Sequence, residues 1–366
     1  MKKFIIILTF FISCAQTDDT INIPTSINYT VTNIHQTEFV PWSIEFIDND
    51  TFLYTERRGK MFIVSDGQST EISNIPSVYQ KNQGGLLDIE LHPNFDQNNT
   101  LFFSFSKGNK EDGANTAVAS AKLIDNSLQE VEILYVGKEM TNASLHFGSR
   151  LQFDDEGYLY FTIGDRGNRN KNPQDITRDA GKVYRINDDG SIPESNPFFN
   201  NQGARKAVFS YGHRNPQGMF KHPETGKIWT NEHGPRGGDE INIIEAGKNY
   251  GWPKITYGIN YSGTTITNDK SLPGLEQPMY YWLPSIAPSG FAYLNSDIYD
   301  DWKGSLLVGS LKFMYLERLV IENNKVTYRE KVAENIGRVR DVKVSPDGFI
   351  YLAVDNKGIF KLTPIK

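Results

Sequence analysis

The hydrophobic pattern of the chain is short-range and repetitive. A polar or Gly/Pro-containing entry leads into a short alternating strand. A turn rich in Asp, Asn, Pro and Gly follows, and then a second strand of aromatic and β-branched residues. Pro41–Phe46 turns at Asp48–Asp50 into Phe52–Tyr54, and Gln83–Leu91 turns at His92–Asn99 into Leu101–Phe105. His146–Phe153 turns at Asp154–Gly157 into Tyr158–Phe161, and Arg214–Phe220 turns at His222–Gly226 into Ile228–Thr230. Ala287–Tyr293 turns at Asn295–Lys303 into Leu306–Val308, and Arg338–Val344 turns at Ser345–Gly348 into Phe349–Leu352. Six units at the spacing of four-stranded blades predict an all-β, six-bladed β-propeller with antiparallel blades. Third and fourth strands show in several units, as in Gly59–Val64 and Gly181–Ile186. The structural alternative, one or two β-sandwiches, suits so regular a repeat less well.

The last unit is short, ending in Gly358–Leu362, and Tyr29–Ile34 is a strand ahead of the first unit with no blade of its own. Together they predict that the N-terminal strand completes the last blade and closes the ring, which removes an open edge. No long helical period appears. Gly137–Asn142 and Lys171–Arg178 read as inter-strand loops, and Asn249–Tyr281 as a long rim insertion.

Composition agrees: among 366 residues, Gly 31, Tyr 18 and Phe 22 favour turns and strands. A net charge of −6 without a Lys/Arg block argues against nucleic acid as a partner. Residues 1–14 have the form of an export signal. Lys2 and Lys3 precede the apolar run Phe4–Ile12, which is too short to span a bilayer. Ser13 before Cys14 resembles a lipobox, with Phe11 where Leu is usual. The expected product is a lipoprotein cut before Cys14, with residues 15–27 as a tether and 28–366 as the propeller. It would be periplasmic or outer-membrane-anchored, touching a membrane only through lipid on Cys14. An ordinary secretory peptide cut nearby is the alternative. Cys14 is the only cysteine, so disulfides, a thiol nucleophile and Cys-ligated zinc have no residues to use.

Chemistry concentrates in Ser210–Tyr250. A hairpin should bring its two polar clusters together: His213, Arg214 and Asn215 on one side, Glu232, His233, Arg236, Asp239 and Glu240 on the other. Aligning the units by their first strand puts Gln83, His146, Arg214, Arg338 and Arg340 at or just before the start of that strand. First strands line a propeller's channel, so these side chains should converge at one mouth. With Asn215, and with Lys312 at the end of an equivalent stretch, they form a funnel suited to a polyanionic planar ligand. Arg338 and Arg340 share one strand face, which is costly unless a ligand or carboxylates neutralise them. Arg150, Arg166 and Arg185 read as structural, pairing with Asp154, Asp165 and Asp188. His35, His92 and His222 read as surface or turn residues. The loop Glu232–Gly237 combines Pro235 with glycines. Carbonyls turned inward beside Asp239 and Glu240 would suit a hard cation such as Ca2+. There is no HExxH or Gly-x-Ser-x-Gly, and the histidine spacing does not suit zinc.

These residues resemble the soluble glucose/sorbosone dehydrogenases that depend on pyrroloquinoline quinone (PQQ), particularly the aldose sugar dehydrogenase branch. The matching pieces include Gln83–Asp88, His146–Arg150, Gly164–Gly167, Gly181–Arg185, Gly212–Gly218, Asn231–Glu240, Asn249–Pro253, Ile286–Gly290 and Arg338–Asp341, spanning about Val40 to the C-terminus. The resemblance implies a six-bladed propeller and hydride transfer from C1 of an aldose to PQQ, giving the lactone. It implies His146 as general base, with Arg214 and Asn215 on the quinone oxygens. Gln83, His233, Lys312, Arg338, Arg340 and Asp355 would hold PQQ, and Gly234, Pro235 and Asp239 would hold Ca2+. It further implies an external electron acceptor, and a monomer is expected. Departures are Leu145 where the glucose dehydrogenases carry Asp, His233 where they carry Gln, and shorter inter-unit loops. Two rivals stay open: a non-catalytic sugar- or protein-binding propeller, and a Ca2+-dependent propeller lactonase, which would not need Arg338 and Arg340.

Overall fold

The structure, a computed structural model, describes residues 26–365. The export signal, Cys14 and residues 15–25 of the tether lie outside the described residues. Within them the strands form six four-stranded antiparallel sheets, each built from consecutive strands except the last. The innermost strands are Pro41–Phe46, Leu86–Leu91, Leu151–Phe153, Pro216–Lys221, Pro288–Tyr293 and Val339–Val344. Each touches the innermost strands on either side, so the six make a closed ring. The last sheet runs Val339–Val344, Ile350–Val354, Gly358–Pro364 and then Tyr29–His35, with Val31 opposite Leu362. The ring closes through the N-terminal strand as the sequence predicts, and the sandwich alternative falls.

Burial follows position in the blade. Second strands such as Leu159–Ile163, Ile228–Glu232 and Ile350–Val354 are buried at every residue, because both faces pack on neighbouring blades. Outer strands alternate or face water, as in Lys325–Val332. Between the last two blades Leu307, Leu316, Val339, Val342 and Leu352 form one apolar layer. Each such side chain stabilises the fold by about 1.5–3 kcal/mol on burial. The predicted turn Asn295–Lys303 contains a 3-10 segment, Asp297–Trp302, whose Tyr299 and Trp302 are fully buried. Tyr299 donates to the Leu362 carbonyl and accepts from Ile350 N.

Two features of the innermost strands place the site. Five of them bulge near the inner end, between Pro41 and Ser43, Leu86 and Ile89, Pro216 and Gly218, Pro288 and Phe291, and Val339 and Asp341. A bulge re-aims side chains. Here Asp88, Gln217 and Arg340 fall in bulged stretches and line cavities in the channel. The strands also approach closely. A Cβ on Gly218 would lie 2.3 Å from the Ser289 carbonyl, and one on Gly290 would lie 2.2 Å from Val342 N, so only glycine fits.

Three innermost strands begin later than the pattern suggests, at Leu86, Leu151 and Pro216. Gln83, His146, Arg214 and Asn215 therefore sit on irregular lead-ins. His146 has a φ of 55° and Ser149 one of 89°. Such backbone is strained for residues with a Cβ and persists where surroundings impose it.

Candidate active site

His146 is the centre of the arrangement. Its backbone N–H donates to Gln83 Oε1 at 2.8 Å, which ties the second unit to the third. Its Nδ1 lies 2.6 Å from Asp165 Oδ1. Asp165 also accepts from Gly167 N at 2.7 Å and from the Trp252 indole at 2.9 Å. Burial pushes the Asp165 carboxyl up, but its bond to His146 and the charge of Arg214 outweigh this and hold it below the usual range. An ionised carboxylate only accepts, so the His146 proton is on Nδ1 and Nε2 keeps its lone pair. Burial, then Arg214, lower the His146 pKa against the opposing pull of Asp165. The result is a neutral imidazole with a free Nε2, the state a general base requires.

The segment holding Asp165, 164–181, is a long loop that would wander without ties. Asn172 donates to the Asp165 carbonyl at 3.0 Å. Fully buried Lys182 donates to the carbonyls of Asn172, Ala180 and Pro173 at 2.6, 2.8 and 3.2 Å. Burial brings this lysine down to about 7.

Beside His146 stands Arg214. One guanidinium nitrogen donates to the carbonyls of His233 and Gly234 at 3.0 and 2.9 Å. Its backbone N–H is held by Glu232 at 2.6 Å, and Glu232 also takes Nδ1 of His213, fully buried and stacked on Tyr250. His213 is thus a supporting residue. Asn215 Oδ1 accepts from Gly148 N at 3.1 Å, leaving its amide N–H groups to donate. His233 donates Nε2–H to the Pro288 carbonyl at 2.6 Å. Burial and Arg214 drive its pKa down to about 3, so it is a neutral hydrogen-bonding group.

The next cavity along the channel is lined by Arg57, Gln83, His233, Leu311, Arg338 and Arg340, among others. Asp355 takes Arg340 through two bonds, at 3.0 and 2.9 Å, and Arg338 through one at 3.1 Å. Burial works against its charge, but the two arginines hold it below the usual carboxylate range. One carboxylate therefore faces three guanidinium groups, and the cavity keeps a surplus of positive charge. Arg57 is not recognised in the sequence, because it follows a second strand, Phe52–Glu56, beside the start of the first strand rather than on it. Burial and the nearby Arg340 lower its pKa. Lys312 lies at the rim, exposed, with its ammonium 4.9 Å from the Phe313 ring centroid.

The Gly234 loop is a cradle of carbonyls. A Cβ on Gly234 would lie 2.3 Å from the carbonyl oxygens of both Gly237 and Gly238. Asp239, expected at the cation, is fully buried. Its oxygens accept from Gly234 N, Ser285 Oγ, Ile286 N and Ala287 N at 2.8, 3.0, 2.7 and 2.9 Å. All its acceptor sites are engaged, so it shapes the loop that carries Gly234 and Pro235. Among the described residues no three His, Asp or Glu side chains form a metal cage.

Several pairings differ from expectation. Arg150 leaves Asp154, which caps its own turn, and instead bridges Asp88 and Asp341 at 2.9 and 2.8 Å on the channel axis. Arg166 finds Asp165 committed to His146. It donates to the Leu145, Ala143 and Ala114 carbonyls and lies over the Phe147 ring, and burial lowers its pKa to about 9. Arg185 binds Asn196 and Ser195, while Asp188 meets His92. His222 opens its turn as expected but is buried, packed against Trp229 and Tyr293. Trp252, which closes over Asp165 from the rim insertion, and Asp165 itself lie within matched motifs, but their partnership needs the fold to be seen.

A family model described as Glucose / Sorbosone dehydrogenase matches residues 39–361. The chain is 41% identical over 334 residues to Aldose sugar dehydrogenase YliI of Escherichia coli K12, covering 88% of this chain and 90% of that protein. It is 28% identical over 398 residues to Quinoprotein glucose dehydrogenase B of Acinetobacter calcoaceticus, covering 85% and 82%. The apo crystal structure of the soluble aldose sugar dehydrogenase from Escherichia coli superposes with a TM-score of 0.87 at 36% identity, covering 92% of this chain and 100% of that one.

Proposed function

The chain belongs to the glucose/sorbosone dehydrogenase family and is a sugar dehydrogenase, and on that premise we propose that it oxidises the anomeric C1 hydroxyl of aldoses to the lactone using PQQ and Ca2+. The observation that carries the finer reading is one assembly at the channel mouth, in which a His–Asp pair with a free Nε2 adjoins a cavity whose cations outnumber its single carboxylate. The name of the Acinetobacter relative, a quinoprotein, supports the same cofactor class. When bound, PQQ supplies a quinone that accepts a hydride.

The chain's own residues divide the remaining work. Arg338, Arg340 and Arg57, with Lys312 at the rim, match a planar tricarboxylate in charge, and Asp355 holds the two clamp arginines side by side and aimed. Gln83 and His233 add neutral hydrogen-bonding groups. His146 Nε2 takes the proton of the C1 hydroxyl, and Asp165 stabilises the imidazolium that forms. Arg214 has guanidinium N–H groups beyond those on the His233 and Gly234 carbonyls, and Asn215 has its amide. Both can donate to an oxygen on which negative charge develops. The Gly234 and Pro235 carbonyls would hold Ca2+, a hard ion suited to oxygen ligands, within the loop fixed by Asp239. A monomer exported and lipid-anchored at Cys14, reoxidised by an external acceptor, completes the reading.

Titration of the purified protein with PQQ and Ca2+, followed by dye reduction with a panel of aldoses, tests it. Stoichiometric PQQ binding and sugar-dependent reduction are expected. Failure to bind PQQ removes the reading. Turnover with Ca2+ alone on a lactone would favour the lactonase instead.

A further inference from the structure

The pocket beside His146 has a charge pattern that the oxidation of a neutral sugar does not require. Its charged lining is Asp165, Arg169 and Arg214. The carboxylate is consumed: both its oxygens already accept, from His146, Gly167 and Trp252. Arg214 is partly engaged by the His233 and Gly234 carbonyls. Arg169 is different. Its one bond goes to Asn260 Oδ1 at 2.8 Å, and no carboxylate pairs with it among the described residues. Asn260 is itself fixed, bonding to Thr264 Oγ1 at 3.0 Å and accepting with its carbonyl from Gly263. Arg169 is thus a half-buried, pre-aimed guanidinium that joins the 164–181 loop to the rim insertion and retains free N–H donors over the pocket. Arg214 offsets the charge of Asp165, so Arg169 is the surplus charge of this lining, and on a chain of net charge −6 a net positive entrance is a selective feature.

Resting on the dehydrogenase reading above, we infer that the preferred substrates are aldoses bearing an anionic group away from C1, a hexuronate carboxylate above all, with Arg169 as the residue that recognises the anion. A single guanidinium fork matches one carboxylate in charge and geometry. The carboxylate is a spectator: C1 is still the carbon oxidised, and the products are the lactone and the reduced acceptor.

The test measures kcat/KM of the PQQ- and Ca2+-reconstituted enzyme for D-glucuronate, D-glucose 6-phosphate and D-glucose, in the native protein and in Arg169→Gln and Arg169→Lys. It is paired with calorimetric titration of the same sugars. Glucose turnover reports on the dehydrogenase reading, and the anion-to-glucose ratio reports on this one. A native ratio above one, falling about tenfold in Arg169→Gln, partly kept in Arg169→Lys and weakened by salt, is the expected outcome. The glucuronate and phosphate arms separate carboxylate from phosphate as the anion recognised. A ratio at or below one for both anions, or a ratio unmoved by Arg169→Gln, overturns the inference. If the protein turns over no aldose, the calorimetric preference and its loss in Arg169→Gln still decide it.

Discussion

Replacing Asp165 by Asn isolates what the carboxylate does for His146, because shape is kept while charge and one acceptor are lost. Oδ1 faces two donors, His146 Nδ1–H and Gly167 N–H, and Oδ2 faces a third, the Trp252 indole. An amide offers one oxygen and one NH2. With its oxygen toward His146, its NH2 opposes the Trp252 N–H, leaving a buried donor unmet at about 1–3 kcal/mol. Turned over, it satisfies Trp252 but opposes Gly167. It then obliges His146 to accept at Nδ1, which moves the proton to Nε2 and blocks the base. The two orientations are closely matched, so a large share of molecules carries the wrong tautomer. The rest stabilise an imidazolium with a neutral acceptor, weaker by about 1–2 kcal/mol than a charge-assisted bond. Together these predict a fall in kcat of about 10–10². The sign of the pH effect follows from the same contact. His146 acts as a base above its pKa, and activity is lost as pH falls through it. Asp165 is what raises that pKa against burial and Arg214. Without the charge the pKa drops further, and the acid limb of kcat/KM moves to lower pH. Steady-state pH profiles of the reconstituted variant, with PQQ affinity measured alongside, check this. A kcat within threefold of native, or an acid limb displaced upward, would refute the argument.

Three further outcomes follow from the same geometry. Arg338, half exposed, and Arg340, nearly buried, share Asp355. Arg338→Ala should weaken PQQ binding about tenfold with little change in the urea midpoint, whereas Arg340→Ala should lower both; equal effects on both quantities would contradict the division. Arg150→Met leaves Asp88 and Asp341 facing each other unneutralised on the channel axis, so denaturant titration should show a loss of about 3–5 kcal/mol. Burial already raises the Asp341 pKa, and protonation relieves the repulsion, so the deficit should shrink from pH 8 to pH 5; a deficit flat in pH would argue against it. Cys14→Ser should shift the protein from the membrane to the soluble fraction, and unchanged fractionation would count against lipidation.

The propeller was legible because blades repeat a local signal. Alternating strands and Asp/Gly turns are properties of neighbours in sequence, and six copies reinforce one another. Ring closure was legible for the same reason, from one unit short of a strand and one strand short of a unit. The site was legible only where it shared that signal. Gln83, His146, Arg214, Arg338 and Arg340 stand at corresponding points of the repeat, so alignment of the units alone brings them to one mouth. What escaped is what depends on partner choice across the ring. Arg150 has Asp154 four residues away, yet it binds Asp88 and Asp341 from other blades, because Asp154 is spent on its own turn and the channel axis holds two carboxylates that need a cation. Arg166 has Asp165 adjacent and loses it to His146. Arg57 enters the clamp from just past a second strand, a position that the alignment of first strands never samples. A buried charge is allotted by scarcity of partners within reach in space, and sequence distance carries no information about that scarcity. Proximity in sequence is therefore the weakest guide where acids and bases are densest, and that is where this fold puts its active site.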